Sequence, residues 1–146
     1  MSTTILKTVF FNAKPETVWS FLTDKDKLGI WYHPAQEDLS DGSDYSLYST
    51  GDDGARNQIV SGRVLEMQAP NKLVTTFVIG PFGGNETTLT WQLSDAAGGT
   101  QLTLSHEGIA QALGQDAPDA GVMGLLMALD HGWDKHFDKL RNGIAA

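Results

Sequence analysis

The chain has 146 residues, 40% of them hydrophobic and 9% aromatic, enough to bury one sizeable core, so the reading is a single domain over residues 1–146. A formal charge of −8 sets it against nucleic acid and anionic membrane surfaces, because neutralising phosphates takes clustered Lys and Arg, and here ten are scattered. The lack of cysteine rules out disulfides, thiol nucleophiles and thiolate metal sites, and fits a reducing interior.

The segment Met1 to Lys7 runs straight into an alternating stretch rather than the basic start and apolar core of a signal peptide. No apolar run approaches the roughly 20 residues of a membrane span. The expectation is a soluble, cytoplasmic protein with no membrane insertion. Residues Ile5 to Asn12, β-branched and aromatic, predict a first strand, which Ala13-Lys14-Pro15-Glu16 breaks. A helix starts there, with Pro15 in its first turn and Val18, Trp19, Phe21 and Leu22 at helical spacing. Thr23-Asp24 caps a second short helix that carries Leu28, Ile30 and Trp31 up to Pro34.

From Glu37 to Glu107 the pattern is strand and turn. Asp41-Gly42 and Gly51-Asp52-Asp53-Gly54 favour turns, and strand-like runs lie at Tyr45–Ser49, Gln58–Met67, Lys72–Val78, Thr87–Leu93 and Thr100–His106. Leu89, Trp91 and Leu93, and then Leu102 and Leu104, alternate with polar residues, which means an antiparallel sheet wetted on one side. Asp95 to Gly99 reads as the hairpin connection between the last two runs. Ala110 to Ala120 is compatible with a short helix, a loop or a lid. From Gly121, an apolar stripe of Val122, Leu125, Leu126, Leu129, Trp133, Phe137 and Leu140 predicts one long amphipathic helix lying across the sheet. Gly124 and Gly132 in its interior each cost about 1 kcal/mol relative to Ala, so they either admit a close neighbour or leave room.

The order of these elements resembles the α+β helix-grip fold of the START-related (SRPBCC) superfamily, a curved antiparallel sheet wrapped around a long C-terminal helix. Four stretches are similar to the activator of heat shock protein 90 ATPase homologue family: PETVWSFLTDKDKLGIWY (15–32), GRVLEMQAPNKLVTTF (62–77), GGTQLTLSHEGI (98–109) and HGWDKHFDKLR (131–141). The resemblance implies a cavity for apolar ligands between sheet and helix, and in some superfamily branches cyclisation chemistry. The co-chaperones that name the family carry an additional N-terminal domain, so the resemblance does not imply chaperone activity for a chain of this length.

Among candidate site residues, His106 and Glu107 end an alternating run. With Leu102 and Leu104 inward, His106 faces in and Glu107 out, so the two do not form a local dyad. The simpler reading of His106 is a histidine that ends a strand and bonds a neighbour; the functional one is a contact with a ligand's polar end. His131 and His136 are separated by about 500° of helix rotation and diverge by roughly 140°, so they share no metal, and none is expected. His33 beside Pro34 reads as a loop residue or an entrance residue. There is no Gly-x-Ser-x-Gly elbow, and GPFGGN (80–85) lacks the Lys-Ser/Thr of a phosphate loop. Asp130, Asp134 and Asp138 read as a solvated helix edge, partly offset by Lys135 and Arg141.

Bulky side chains have to meet where a single helix spans a curved sheet. Trp31, Trp91, Met127 and Trp133 are the expected cavity lining, with His33, Tyr45 and His106 at the mouth. The leading expectation is a module that binds an apolar or amphipathic small molecule without a cofactor, with no catalytic residue assigned. One alternative is an enzyme of the polyketide-cyclase or dehydratase kind using the same cavity, in which a His or Tyr moves protons. The other is a protein-interaction module, marked by an exposed apolar patch.

Overall fold

A computed structural model of the chain describes residues 3–145. Strand β1 (Ile5–Phe11) is followed by helices α1 (Pro15–Thr23) and α2 (Lys25–Trp31). Then come β2 (Asp44–Thr50), β3 (Arg56–Gln68), β4 (Lys72–Phe77), β5 (Thr87–Ala96) and β6 (Gly99–Glu107), a short helix α3 (Ile109–Leu113), and the long helix α4 (Asp119–Ala145). The strands form one six-stranded sheet in the order β1-β6-β5-β4-β3-β2, every neighbouring pair antiparallel. This is the helix-grip arrangement expected from the order of elements.

Local chemistry explains the boundaries. Pro15 occupies the first turn of α1, where its missing N–H leaves no bond unmade. Asp24 ends α1 and opens α2, its Oδ1 accepting from the backbone N–H of Asp26 at 2.9 Å and of Lys27 at 3.0 Å. The β5–β6 hairpin closes through Ala97 and Gly98, both at positive φ (50° and 82°), the combination that matches the twist of the flanking strands. Strict alternation buries Leu89, Trp91 and Leu93 on β5 and Leu102, Leu104 and His106 on β6, while Glu107 points to solvent.

The small-residue segment after Gly108 divides in two. Its first part is α3, with Ile109 and Ala112 buried and the Ala112 carbonyl accepting from Asn85 Nδ2 at 2.9 Å. Residues 114–118 form the loop into α4.

Helix α4 departs from a uniform stripe. Trp133, Phe137 and Leu140 are buried, whereas Val122, Leu125, Leu126 and Leu129 are only half-buried, and Met123 and Met127 are exposed. The C-terminal half is therefore the part that clamps the core. Its close approach to a neighbour is not at Gly124 or Gly132, around which a side chain would meet nothing within 4 Å, but at Gly143, where a Cβ would lie 2.7 Å from Ile30 Cγ2 on α2. The acidic edge of α4 is also bound from an unexpected side. Lys7, pointing inward from β1 between Ile5 and Val9, reaches Asp130 at 2.7 Å and Asp134 at 2.9 Å.

Candidate functional site

Between the sheet and the α2–α4 pair lies an apolar space lined by Trp31, Tyr32, Tyr45, Phe77, Trp91 and Trp133, with Leu22, Leu28, Leu39, Leu47, Leu73, Leu89 and Thr75 completing the wall. Its volume is about 30 Å³, close to the share of one water molecule in the liquid. The aromatic rings that line it also fill it. Trp31 and Trp91 meet edge to face at 6.1 Å, and Trp91 and Trp133 do the same at 5.7 Å.

Three of these walls are pinned by hydrogen bonds. Trp31 Nε1 donates to the Phe21 carbonyl at 2.7 Å. Tyr45 lies across Gly62, its cross-strand partner on β3, and its hydroxyl donates to the Thr76 carbonyl at 2.6 Å. Burial pushes the Tyr45 phenol up to about 12, against a smaller pull downward from Thr75. Tyr45 is thus part of the lining, with its hydroxyl engaged by β4 rather than offered at a mouth.

The third pinned wall is Trp133, whose Nε1 donates to His106 Nδ1 at 3.3 Å. With Nδ1 accepting, the neutral ring carries its proton on Nε2, which faces Thr87 Oγ1 at 2.9 Å; that hydroxyl in turn donates to the Phe77 carbonyl at 2.7 Å. Burial holds the His106 pKa down at about 4, so the ring is neutral at pH 7. His106 is fully buried, does not line the space, and has both nitrogens occupied. The expectation of His106 as a mouth residue is corrected here. Inward alternation carried it past the cavity into a relay that joins β4, β5, β6 and α4.

Met127 is a second correction. It is 65% exposed and sits with Leu6 and Met123 on the outer side of α4, because the half-buried face of that helix turn is taken by Leu125, Leu126 and Leu129.

His33 lies one layer outside the lining, behind Tyr32. The Tyr32 ring is bracketed by His33 at 4.6 Å, His136 at 4.4 Å, Trp31 at 5.6 Å and Trp133 at 5.7 Å. The two imidazoles are 6.4 Å apart. Burial, then Lys139, holds His33 below its ordinary value. Burial, Lys139 and His33 bring His136 down to about 4, against the upward pull of a ring N–H directed at the Trp31 backbone carbonyl. His136 Nδ1 is buried with no hydrogen-bond partner. Reasoning from the sequence missed Tyr32 and His136 as a pair. The available signal was that His136 follows Trp133 by three residues, which places both on one helix face. Among the described residues no group of three or more His, Asp or Glu is placed to hold a metal ion, and no helix is long and apolar enough to cross a membrane.

The family model described as Activator of Hsp90 ATPase homolog 1-like protein matches residues 12–144. No curated protein matches the chain. Solved structures do. CalU16 from Micromonospora echinospora is 23% identical, with a TM-score of 0.72 over 97% of this chain and 75% of its own. MLL2253 from Mesorhizobium loti is 18% identical, with a TM-score of 0.76 over 97% and 96%. DynU16, from the dynemicin biosynthetic locus, is 19% identical, with a TM-score of 0.75 over 99% of this chain and 48% of its own, so this chain spans about half of that one. At these identities the structures speak for the fold. With a family model covering nearly its whole length, the chain belongs to the Activator of Hsp90 ATPase homolog 1-like family.

Proposed function

We propose that the protein binds an apolar or amphipathic ring compound between the sheet and α4, as a cytoplasmic single-domain carrier or sensor. The observation that carries this reading is the uneven wall of the aromatic space. Trp31, Trp91 and Trp133 are buried, and Trp31, Trp133 and Tyr45 are pinned by hydrogen bonds, yet the outer wall is Tyr32, which is only partly buried. Ligand pockets usually measure about 300–1,000 Å³. A space of about 30 Å³ therefore represents the closed form, and a ligand enters as the Tyr32 wall moves. The origin of DynU16 in a biosynthetic locus is in keeping with a small-molecule role. The cyclase alternative loses its expected base, since His106 has no free nitrogen to take a proton.

Native mass spectrometry of gently purified protein, followed by denaturing extraction, tests the reading. A near-stoichiometric apolar compound supports it. A clean mass, together with no uptake of hydrophobic aromatic probes by titration calorimetry, overturns it.

A second reading, a protein-interaction module, has one observation in its favour: Leu6, Met123 and Met127 are each more than half exposed beside a shared surface depression. Saturable binding of a partner that is lost in a Met123→Gln, Met127→Gln variant supports that reading, and retained binding removes it.

A further inference from the structure

The cage around Tyr32 is unusual in what it encloses. Four rings, two indoles and two imidazoles, surround a phenol that comes from the chain itself. The phenol is also the least anchored member of the cavity wall. Tyr32 lies just past the end of α2 with φ −133° and ψ −103°, so its side chain is not held in a helical repeat. Its hydroxyl makes no hydrogen bond among the described residues, in contrast to the pinned Trp31, Tyr45 and Trp133. Beside it, His136 Nδ1 is buried without a partner, the one such side-chain atom among the described residues. A buried polar atom left unpaired carries its full desolvation penalty, so a group that pairs with it on binding gains by relieving that cost.

We infer, resting on the binding reading above, that Tyr32 occupies the place of the ligand's polar end: a hydroxylated aromatic compound displaces the Tyr32 ring, stacks between Trp31 and Trp133, and donates its hydroxyl to His136. Each part follows from what the cage holds. The two indoles and the apolar space behind them call for a flat apolar ring. The polar groups facing it are His33, His136 and Tyr45, whose hydroxyl is already given to the Thr76 carbonyl; Lys139 acts on both imidazoles, and burial keeps His136 uncharged at pH 7. With its ring proton on Nε2, a neutral His136 presents Nδ1 as a hydrogen-bond acceptor to a hydroxyl, whereas a methyl ether of the same size has no proton to give. Moving Tyr32 outward also joins its volume to the small space it now closes. The resident ring competes with the ligand, so the apparent affinity is reduced by the fraction of time the cage is empty.

Calorimetric titration of 2-naphthol and 2-methoxynaphthalene into the full chain, Tyr32→Ala and His136→Leu tests this. The wild type is expected to bind the naphthol about tenfold more tightly than the ether, the factor that about 1.4 kcal/mol gives. Tyr32→Ala is expected to tighten the naphthol about fivefold or more, by removing the competitor. His136→Leu is expected to bring the two probes within about twofold of each other. In the wild type, the ring proton signals of Tyr32, shifted by four neighbouring rings, should move toward solvent-exposed values as naphthol is added. If both probes bind equally well and Tyr32→Ala binds them more weakly, the binding reading stands and this inference falls. If neither probe binds the wild type or Tyr32→Ala, this inference falls, and the binding reading falls with it only where the native mass is also clean. Circular dichroism melts establish that each variant is folded, and the Tyr32 signals in the wild type decide between displacement and a static cage even if Tyr32→Ala does not fold.

Discussion

Trp133 and His106 are joined by one buried hydrogen bond, Nε1–H to Nδ1 at 3.3 Å, and through it the last helix is fastened to the last strand. The bond fixes the tautomer of His106, and with it the direction of the relay through Thr87 to the Phe77 carbonyl. Replacing His106 by Leu keeps most of the bulk but leaves the Trp133 N–H buried and unpaired. The expected loss is about 2–3 kcal/mol in urea denaturation. A loss below about 0.5 kcal/mol would show that the relay is incidental to the clamp.

The same histidine predicts an acid sensitivity. Its folded pKa, about 4, lies below the 6.5 of the unfolded chain, so between these values the unfolded state binds more protons and stability falls as the pH falls. The contribution is fully present above pH 6.5 and lost progressively toward pH 4; it amounts to roughly 3 kcal/mol. His136, also brought down to about 4, steepens the same window. Denaturation midpoints measured from pH 7.5 to 4.0 should drop in the wild type and drop less in His106→Leu. Parallel curves for the two proteins would refute the assignment.

Lys7 supplies a third test. Its side chain is 15% exposed and faces two carboxylates. Burial pulls its pKa down, but the hydrogen bonds it donates to Asp130 and Asp134 more than offset that and leave it raised. Lys7→Met removes the shared cation and leaves two acids adjacent on α4, at an expected cost of about 1–2 kcal/mol. Because the carboxylates are more than half exposed, 0.5 M salt should shrink the difference between variant and wild type. A difference that does not change with salt would point to lost packing instead.

The glycines divide by environment. Gly124→Ala places a methyl group in open space within a helix and is expected to stabilise by about 0.5–1 kcal/mol. Gly62→Ala would drive a methyl into the Thr76 backbone carbonyl and to 2.6 Å from a carbon of the Tyr45 ring, and should destabilise by about 2 kcal/mol or more. Thermal melts of the two variants should move in opposite directions. Movement in the same direction would contradict the geometry around Tyr45.

Met127→Gln should leave stability within about 0.5 kcal/mol of wild type and leave aromatic-probe affinity unchanged, since the side chain is 65% exposed and away from the lining. A clear loss of probe binding would return Met127 to the cavity.

The contrast between Trp133 and Met127 shows what the sequence can carry. Both are large and apolar, but only Trp133 lies on the helical stripe; Met127, six residues earlier, falls about 120° away from it. The repeat predicts a helix, and α4 is one; it does not say where the helix leaves the core, which depends on how far the sheet and α2 reach beneath it. Trp31, Trp91 and Trp133 sit on the lining because alternation on β5 and the short α2 leave them no other side to face. His106 was legible as inward-facing from Leu102 and Leu104, but its partners are 19 and 27 residues away in sequence, so the relay could not be read from neighbours. For the same reason Lys7 was invisible as the partner of Asp130 and Asp134: an ion pair between the first strand and the last helix has no local pattern. The cage around Tyr32 is tertiary in the same sense, since it exists only where the end of α2 meets the middle of α4.

The inward position of Lys7 also bears on how any protein partner can be received. β1 lies at one border of the sheet, and another chain that tried to extend the sheet there would have to work around a lysine held across to α4 by two carboxylates. At the other border the pairing of β2 slips at Leu47 and Tyr48, which bends that margin away from regular pairing. Backbone-to-backbone recognition by strand addition is thus disfavoured at both margins, and the sheet is guarded against polymerising through its own edges.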